Sequence, residues 1–285
     1  MTTTKKSLTP PAPYHHPDAH LFRIGLTPIV EAGWFEGPYE RADGDPAARK
    51  AATYERSPDL CWRETEGSQA GQAEVLAMMR RHFAVDDADD GTVPPLRAAA
   101  GLVDDDLCLM EQREGGWTLT AASLCASSFF SAEEVVGKSL AELHGPVAGF
   151  GEKLLPRVDR IFTALAADSI VERRNWSVVA SGELFLPSSA PVRARQPQIA
   201  PEDAGRELHV RMERQTLRRL PQTGGLLFTI RIWRHPLEDL RATPVRLEAF
   251  AHAWERVMAY EGQTFRDYKG LGPLDGLVRG FLAGV

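Results

Sequence analysis

At 285 residues with 43% apolar side chains, the chain can build one large domain or two small ones around a substantial core. Its formal charge of −6 at pH 7, with no long basic block to offset it, excludes nucleic-acid phosphate binding as the main task. No apolar run approaches the roughly 18 residues of a membrane helix, and the N-terminus lacks an apolar signal core despite Lys5 and Lys6, so a protein retained in the cytoplasm is expected. Cys61, Cys108 and Cys125 lie far apart without a CxxC pair. That spacing provides neither a disulfide framework nor a four-thiolate zinc or iron–sulfur site, and it suits a reducing compartment.

Residues 1–20, rich in Thr and Pro and without periodicity, predict a flexible arm, leaving residues 21–285 as a single domain. "SQAGQAEVLAMMRRHFAV" has helical apolar spacing behind Ser68 as a candidate N-cap, and the acidic turn "DDADDGTVPP" follows it. "LCLMEQREGGWTLTAASLC" then places two extended apolar segments around a Gly-Gly turn, the pattern of a β-hairpin. In "SAEEVVGKSLAEL" the Ser131 to Glu134 spacing matches a capping box. A helix over "GEKLLPRVDRIFTALAA" leads to three candidate strands, "RNWSVVA", "LHVRMERQTLRRL" and "GLLFTIRIW", and "TPVRLEAFAHAWERVMAYEG" is again amphipathic helix. Hairpin, helices and meander, flanked by N- and C-terminal helices, predict an α+β fold with an antiparallel sheet.

Most common enzyme signatures are absent. "VGKS" lacks the leading glycine of a phosphate loop, since position 132 is Ala132, and no G-x-G-x-x-G, G-x-S-x-G or H-E-x-x-H occurs. The candidate chemistry lies in two histidines and a charged strand. His144 ends a short helix in "AELHGPVAG", where its imidazole could turn toward a cofactor or cap the surface. His209 begins the strand, and alternation puts it on one face with Arg211, Glu213 and Gln215, opposite Val210, Met212 and Arg214. Arg211, Arg214, Arg218, Arg219 and Arg231 all lie in or beside segments that read as interior sheet. Fixed guanidinium forks of this density suit carboxylates, either those of a ligand such as a cofactor propionate or those of paired glutamates. Glu213 paired with Arg211 or Arg218 is the purely structural alternative.

"ERQTLRRLP" followed by "FTIR" resembles the signature of the haem-dependent oxidative N-demethylase family, and "RIGLTPI", "GWFE", "DLCLM", "LCASSFF", "LHGPVAGF" and "RRNWSV" agree with it in order. The resemblance covers most of residues 21–240. It implies a PAS-like fold binding haem b through one histidine and oxidising a small secondary amine, such as dimethylamine, to the primary amine and formaldehyde. That reaction uses O2, and the electrons would come from a separate flavin or iron–sulfur reductase, since the chain carries no such fingerprint. His144 matches the motif histidine and is the expected axial ligand, with His209 as the alternative. Glu213, Arg211 and Arg214 are candidate catalytic groups, and Arg218, Arg231 and Trp176 candidate cofactor contacts. The chain departs from the family pattern over Cys125 to Phe130, and at Ala148, where the family tends to have proline, which implies an altered pocket. A haem-PAS sensor without turnover and a haem-free PAS-like interaction protein are the other readings, and a homo-oligomer is compatible with each.

Overall fold

The computed structural model describes residues 14, 25–36, 46–85, 91–145, 155–167, 169–260 and 270–284. Of the expected N-terminal arm, only Tyr14 falls within these, and it is buried, edge-on to Trp176 and Phe250 with ring centroids 5.9 and 5.7 Å away.

An N-terminal layer comes first: β1 (Thr27–Ile29), a 3-10 turn (Glu31–Gly33), α1 (Pro46–Arg56), α2 (Pro58–Cys61), β2 (Trp62–Glu64), α3 (Gln69–Phe83) and α4 (Pro95–Ala100). The hairpin β3 (Asp106–Arg113) and β4 (Gly116–Ser123) follows, then α5 (Ala132–Val135), α6 (Leu140–Leu143) and α7 (Leu155–Ala164). The meander is β5 (Ile170–Val179), α8 (Ala190–Arg195), α9 (Ala204–Glu207), β6 (His209–Arg219) and β7 (Leu226–Pro236), and α10 (Pro244–Tyr260) and α11 (Asp275–Ala283) close the chain. One antiparallel sheet runs β1-β5-β6-β7-β3-β4-β2. Its central five strands have the PAS arrangement, in which the last strand of the meander returns to pair with the first strand of the hairpin. The fold is therefore α+β, as the sequence predicts.

Local chemistry explains these elements. The two-residue hairpin turn is Glu114-Gly115, and Gly115 and the first residue of β4, Gly116, both adopt positive φ that a residue with a Cβ would strain to reach. A bulge at Thr120 breaks the two-residue period of β4, so Trp117 and Leu119 face the same core as Ala122. The Thr120 hydroxyl is fixed to Glu111 at 2.6 Å. Ser131 caps α5 by accepting from the Glu134 backbone N–H, but the full reciprocal capping box forms at Ser139 and Glu142, on α6. The serine of "VGKS" is thus a helix cap.

The sheet separates two sets of cores. On one side, α3 and α4 pack on Leu107, Leu109, Ile170 and Leu227, while α10 and α11 pack on Trp176, Val178, Val210 and Met212. On the other, α5, α6 and α7 lie over Cys108, Met110, Trp117, Leu217, Ile230 and Ile232. Two short edge strands, β1 and β2, were not legible as strands, because three residues are too few to show a period. Strand β5 begins four residues before the predicted "RNWSVVA", since β6 pairs Ile170 to Arg173 and β1 covers Ile170 to Glu172 on the other edge.

Candidate functional site

The register of β5, β6 and β7 stacks cross-strand rows on the face beneath α7. Val171, Leu217 and Phe228 form an apolar row; the next holds Arg173, Gln215 and Ile230. Beyond these come Asn175, Glu213 and Ile232, and then Ser177, Arg211 and Arg234. Past the apolar row, Arg219 is engaged by carbonyls at the end of α7, so the arginines of this face with unpartnered nitrogens, Arg173, Arg211 and Arg234, lie on the other side of that row.

At the apolar end, α7 presents Leu155, Val158, Ile161 and Phe162 to the sheet, yet each stays only half-buried. The stripe packs on the core while keeping part of its apolar surface exposed. Arg219 donates to the carbonyls of Leu165 and Thr163, which anchors the end of α7.

At the polar end, Glu213 accepts from Arg211 Nη2 at 3.0 Å and from Asn175 Nδ2 at 2.7 Å, both inside the protein. Several buried polar atoms around this pair have no hydrogen-bond partner: Arg173 Nε, Asn175 Oδ1, Arg211 Nε, and Nε and Nη2 of Arg234. Buried donors left unmade are costly, and clusters of them are rare in a finished interior. Burial lowers the Arg173 pKa, with Glu213 opposing the shift. Burial first, then the charge of Arg211, pulls Arg234 down to about 9, still protonated at neutral pH.

His144 caps α6, and its Nδ1 lies 3.0 Å from the Leu140 carbonyl. A carbonyl can only accept, so Nδ1 carries the proton and Nε2 the lone pair, the tautomer a metal ligand needs. Burial lowers its pKa; the Leu140 bond opposes this and the Arg173 charge adds to it, which favours neutral imidazole. His209 sits on the same sheet face with Nδ1 turned to the Glu207 carbonyl. Its Nε2 is covered by Gly182, where even a Cβ would approach to 3.0 Å, so that ring meets backbone.

The structure divides the residues singled out from sequence between the two faces of the sheet. His144, His209, Arg211 and Glu213 share the α7 side. Trp176, Arg214, Arg218 and Arg231 lie on the other. Arg214 is almost wholly buried, donating to Glu172 at 2.7 Å and to the carbonyls of Trp34 and Gly33 at 2.8 and 2.5 Å. Arg218 pairs with Glu31 at 2.7 Å above the Trp34 ring, Arg231 pairs with Asp104, and Trp176 packs between Tyr14 and Phe250. The charged strand thus uses one row of guanidiniums to fasten the N-terminal layer and another beneath α7. Arg173, Asn175 and Arg234 belong to the site but escape a sequence reading, because their relation to Glu213 and Arg211 exists only through strand register. In the departing segment, the backbone N–H groups of Cys125 and Ala126 are held by the Asp106 carboxylate; Ala148 lies outside the described residues.

A PAS-type sheet with helices over both faces defines a PAS-like protein, and the comparison with known proteins makes this specific. A family model described as haem-dependent oxidative N-demethylase, alpha subunit-like, matches residues 49–277. The chain belongs to that family.

The residues present fit a haem. The macrocycle is an apolar slab with two carboxylates on one edge and an axial position for a nitrogen ligand. The half-buried stripe of α7, the orphaned guanidinium nitrogens and the neutral His144 correspond to these three features. Among the described residues no cluster of three or more His, Cys, Asp and Glu could hold a metal, and a porphyrin iron needs none. No described helix is long and apolar enough to cross a membrane.

Proposed function

We propose that this chain is the haem-bearing subunit of an O2-dependent demethylase for a small secondary amine; His144, the apolar stripe of α7 and the buried arginines of the facing sheet would hold haem b. The observation that carries this reading is the unpartnered, buried guanidinium and amide atoms beside an apolar floor, in a chain of this family. His209 is the weaker ligand, since its Nε2 is turned to Gly182. When bound, haem supplies the oxidation of the amine methyl group with O2, and a separate flavin or iron–sulfur reductase chain supplies the electrons.

The residues of this chain then bind and orient. Glu213 offers a buried negative charge to the protonated amine and accepts its proton, while Arg211 and Asn175 hold the carboxylate in place. Arg214 is left out of the chemistry because its guanidinium is occupied on the far side of the sheet.

An absorption spectrum of the protein expressed with haem supply, before and after dithionite reduction, tests the assignment. A stoichiometric Soret band that shifts on reduction is expected in the wild type and in His209→Ala, and its loss in His144→Ala. A colourless wild type overturns the haem reading. Amine-dependent formaldehyde release with a reductant tests turnover, and bound haem without it makes the chain a binding module.

A further inference from the structure

We propose that Arg234, opposed to Arg211 across β6 and β7, is the seat for the two carboxylates on the haem edge, and that this seat fixes which way round the macrocycle enters. The inference rests on the haem reading above. Arg211 and Arg234 are direct cross-strand partners in register. Like charges in that position repel, and sheets avoid them unless something compensates. Among the described residues, the carboxylates set against Arg173, Arg211 and Arg234 are Glu213, buried, and Glu183, exposed. Glu213 already takes Arg211 Nη2 and Asn175.

What remains is a set of donors with no acceptor: Arg211 Nε, and Nε and Nη2 of Arg234, whose Nη1 reaches only the Ser181 carbonyl at 3.5 Å. Two guanidinium forks side by side, both short of acceptors and sharing one buried counter-charge, match a pair of carboxylates. Toward the opposite end of the same face lies the apolar row of Val171, Leu217 and Phe228, and Arg219 beyond it is already engaged by the carbonyls of Leu165, Thr163 and Gly224, so such an edge would find no donor there. The cationic row thus selects one edge of the ring.

The test compares haem b with its dimethyl ester, in which both carboxylates are neutral, by titrating the haem-free full chain and reading the Soret band. The wild type is expected to bind the diacid roughly tenfold or more tightly than the diester. Arg234→Met should lose that preference while keeping its affinity for the diester, and Arg234→Lys should restore part of it. The wild-type arm needs no variant, and a thermal melt verifies the folding of the others. Equal binding of the two haems by the wild type overturns the seat and leaves the haem reading standing, as does a preference that survives in Arg234→Met. Equal binding together with weaker haem uptake in millimolar succinate assigns the arginines to a free carboxylic acid instead. Failure to bind either haem removes both proposals.

Discussion

The two faces of β5, β6 and β7 carry the same residue type to opposite ends. On the face toward the N-terminal layer, Arg214, Arg218 and Arg231 are each closed on a carboxylate, Glu172, Glu31 and Asp104, and Arg214 also on two backbone carbonyls, although Arg218 Nε is buried without a hydrogen-bond partner. On the face toward α7, Arg173, Arg211 and Arg234 keep buried nitrogens with no partner. A buried guanidinium closed on a carboxylate fastens one element to another, whereas a cluster without one is a candidate place for an anion. Abundance of arginine therefore says little; among the described residues, the scaffold arginines each have a carboxylate partner, while Arg173 and Arg234 form no ion pair.

The sharpest way to break this contrast is Arg214→Met. Removing one partner of a buried ion pair leaves Glu172 and two carbonyls without their donor, so unfolding stability should drop by about 3 kcal/mol or more. Denaturant titration checks this, and the folded fraction should still take up haem. A loss of haem affinity with stability intact would mean that the two faces are not independent.

Glu213→Gln sharpens the other side. The amide keeps the shape and one acceptor but loses the charge, so demethylation should fall about 100-fold or more while the Soret band persists. If formaldehyde release is unchanged, Glu213 has no part in the chemistry.

A smaller effect follows from Asp105, buried on the scaffold face near Lys50 and Arg231. Desolvation by burial pushes its pKa up to about 7, against the opposing charges of Lys50 and Arg214, with Asp106 and Glu36 adding to the rise. A carboxyl whose folded pKa lies above its unfolded value contributes stability that is complete below the unfolded pKa and is lost as pH rises through the folded one. Asp106, raised to about 6 by burial, acts in the same direction. The contribution of these two carboxyls to stability should therefore decline from about pH 4 to pH 7, and Asp105→Asn should remove the Asp105 part, making the variant's stability rise relative to wild type across that range. An unchanged slope in the variant would show that Asp105 does not titrate in this window.

The hairpin, the helices behind it, the meander and the α+β class were legible because their patterns repeat locally: the Gly115-Gly116 pair of the hairpin, the alternation of β6 and the apolar spacing of α3 and α10. The sequence also determined that His209, Arg211 and Glu213 share a face, since a strand has a strict period of two. Other features depended on partners distant in the chain. Extension of β5 back through Ile170, Val171 and Glu172 depends on β1 beside it, and the charges of this end fit a sheet because Arg214 takes Glu172 and Glu36 takes Arg174. Alternation puts Arg214 and Arg211 on opposite faces of the strand, but nothing local says what either face meets. Only the tertiary structure decides that the first meets carbonyls of the N-terminal layer while the second meets Arg234, because register and the packing of one layer on another set what each guanidinium can reach.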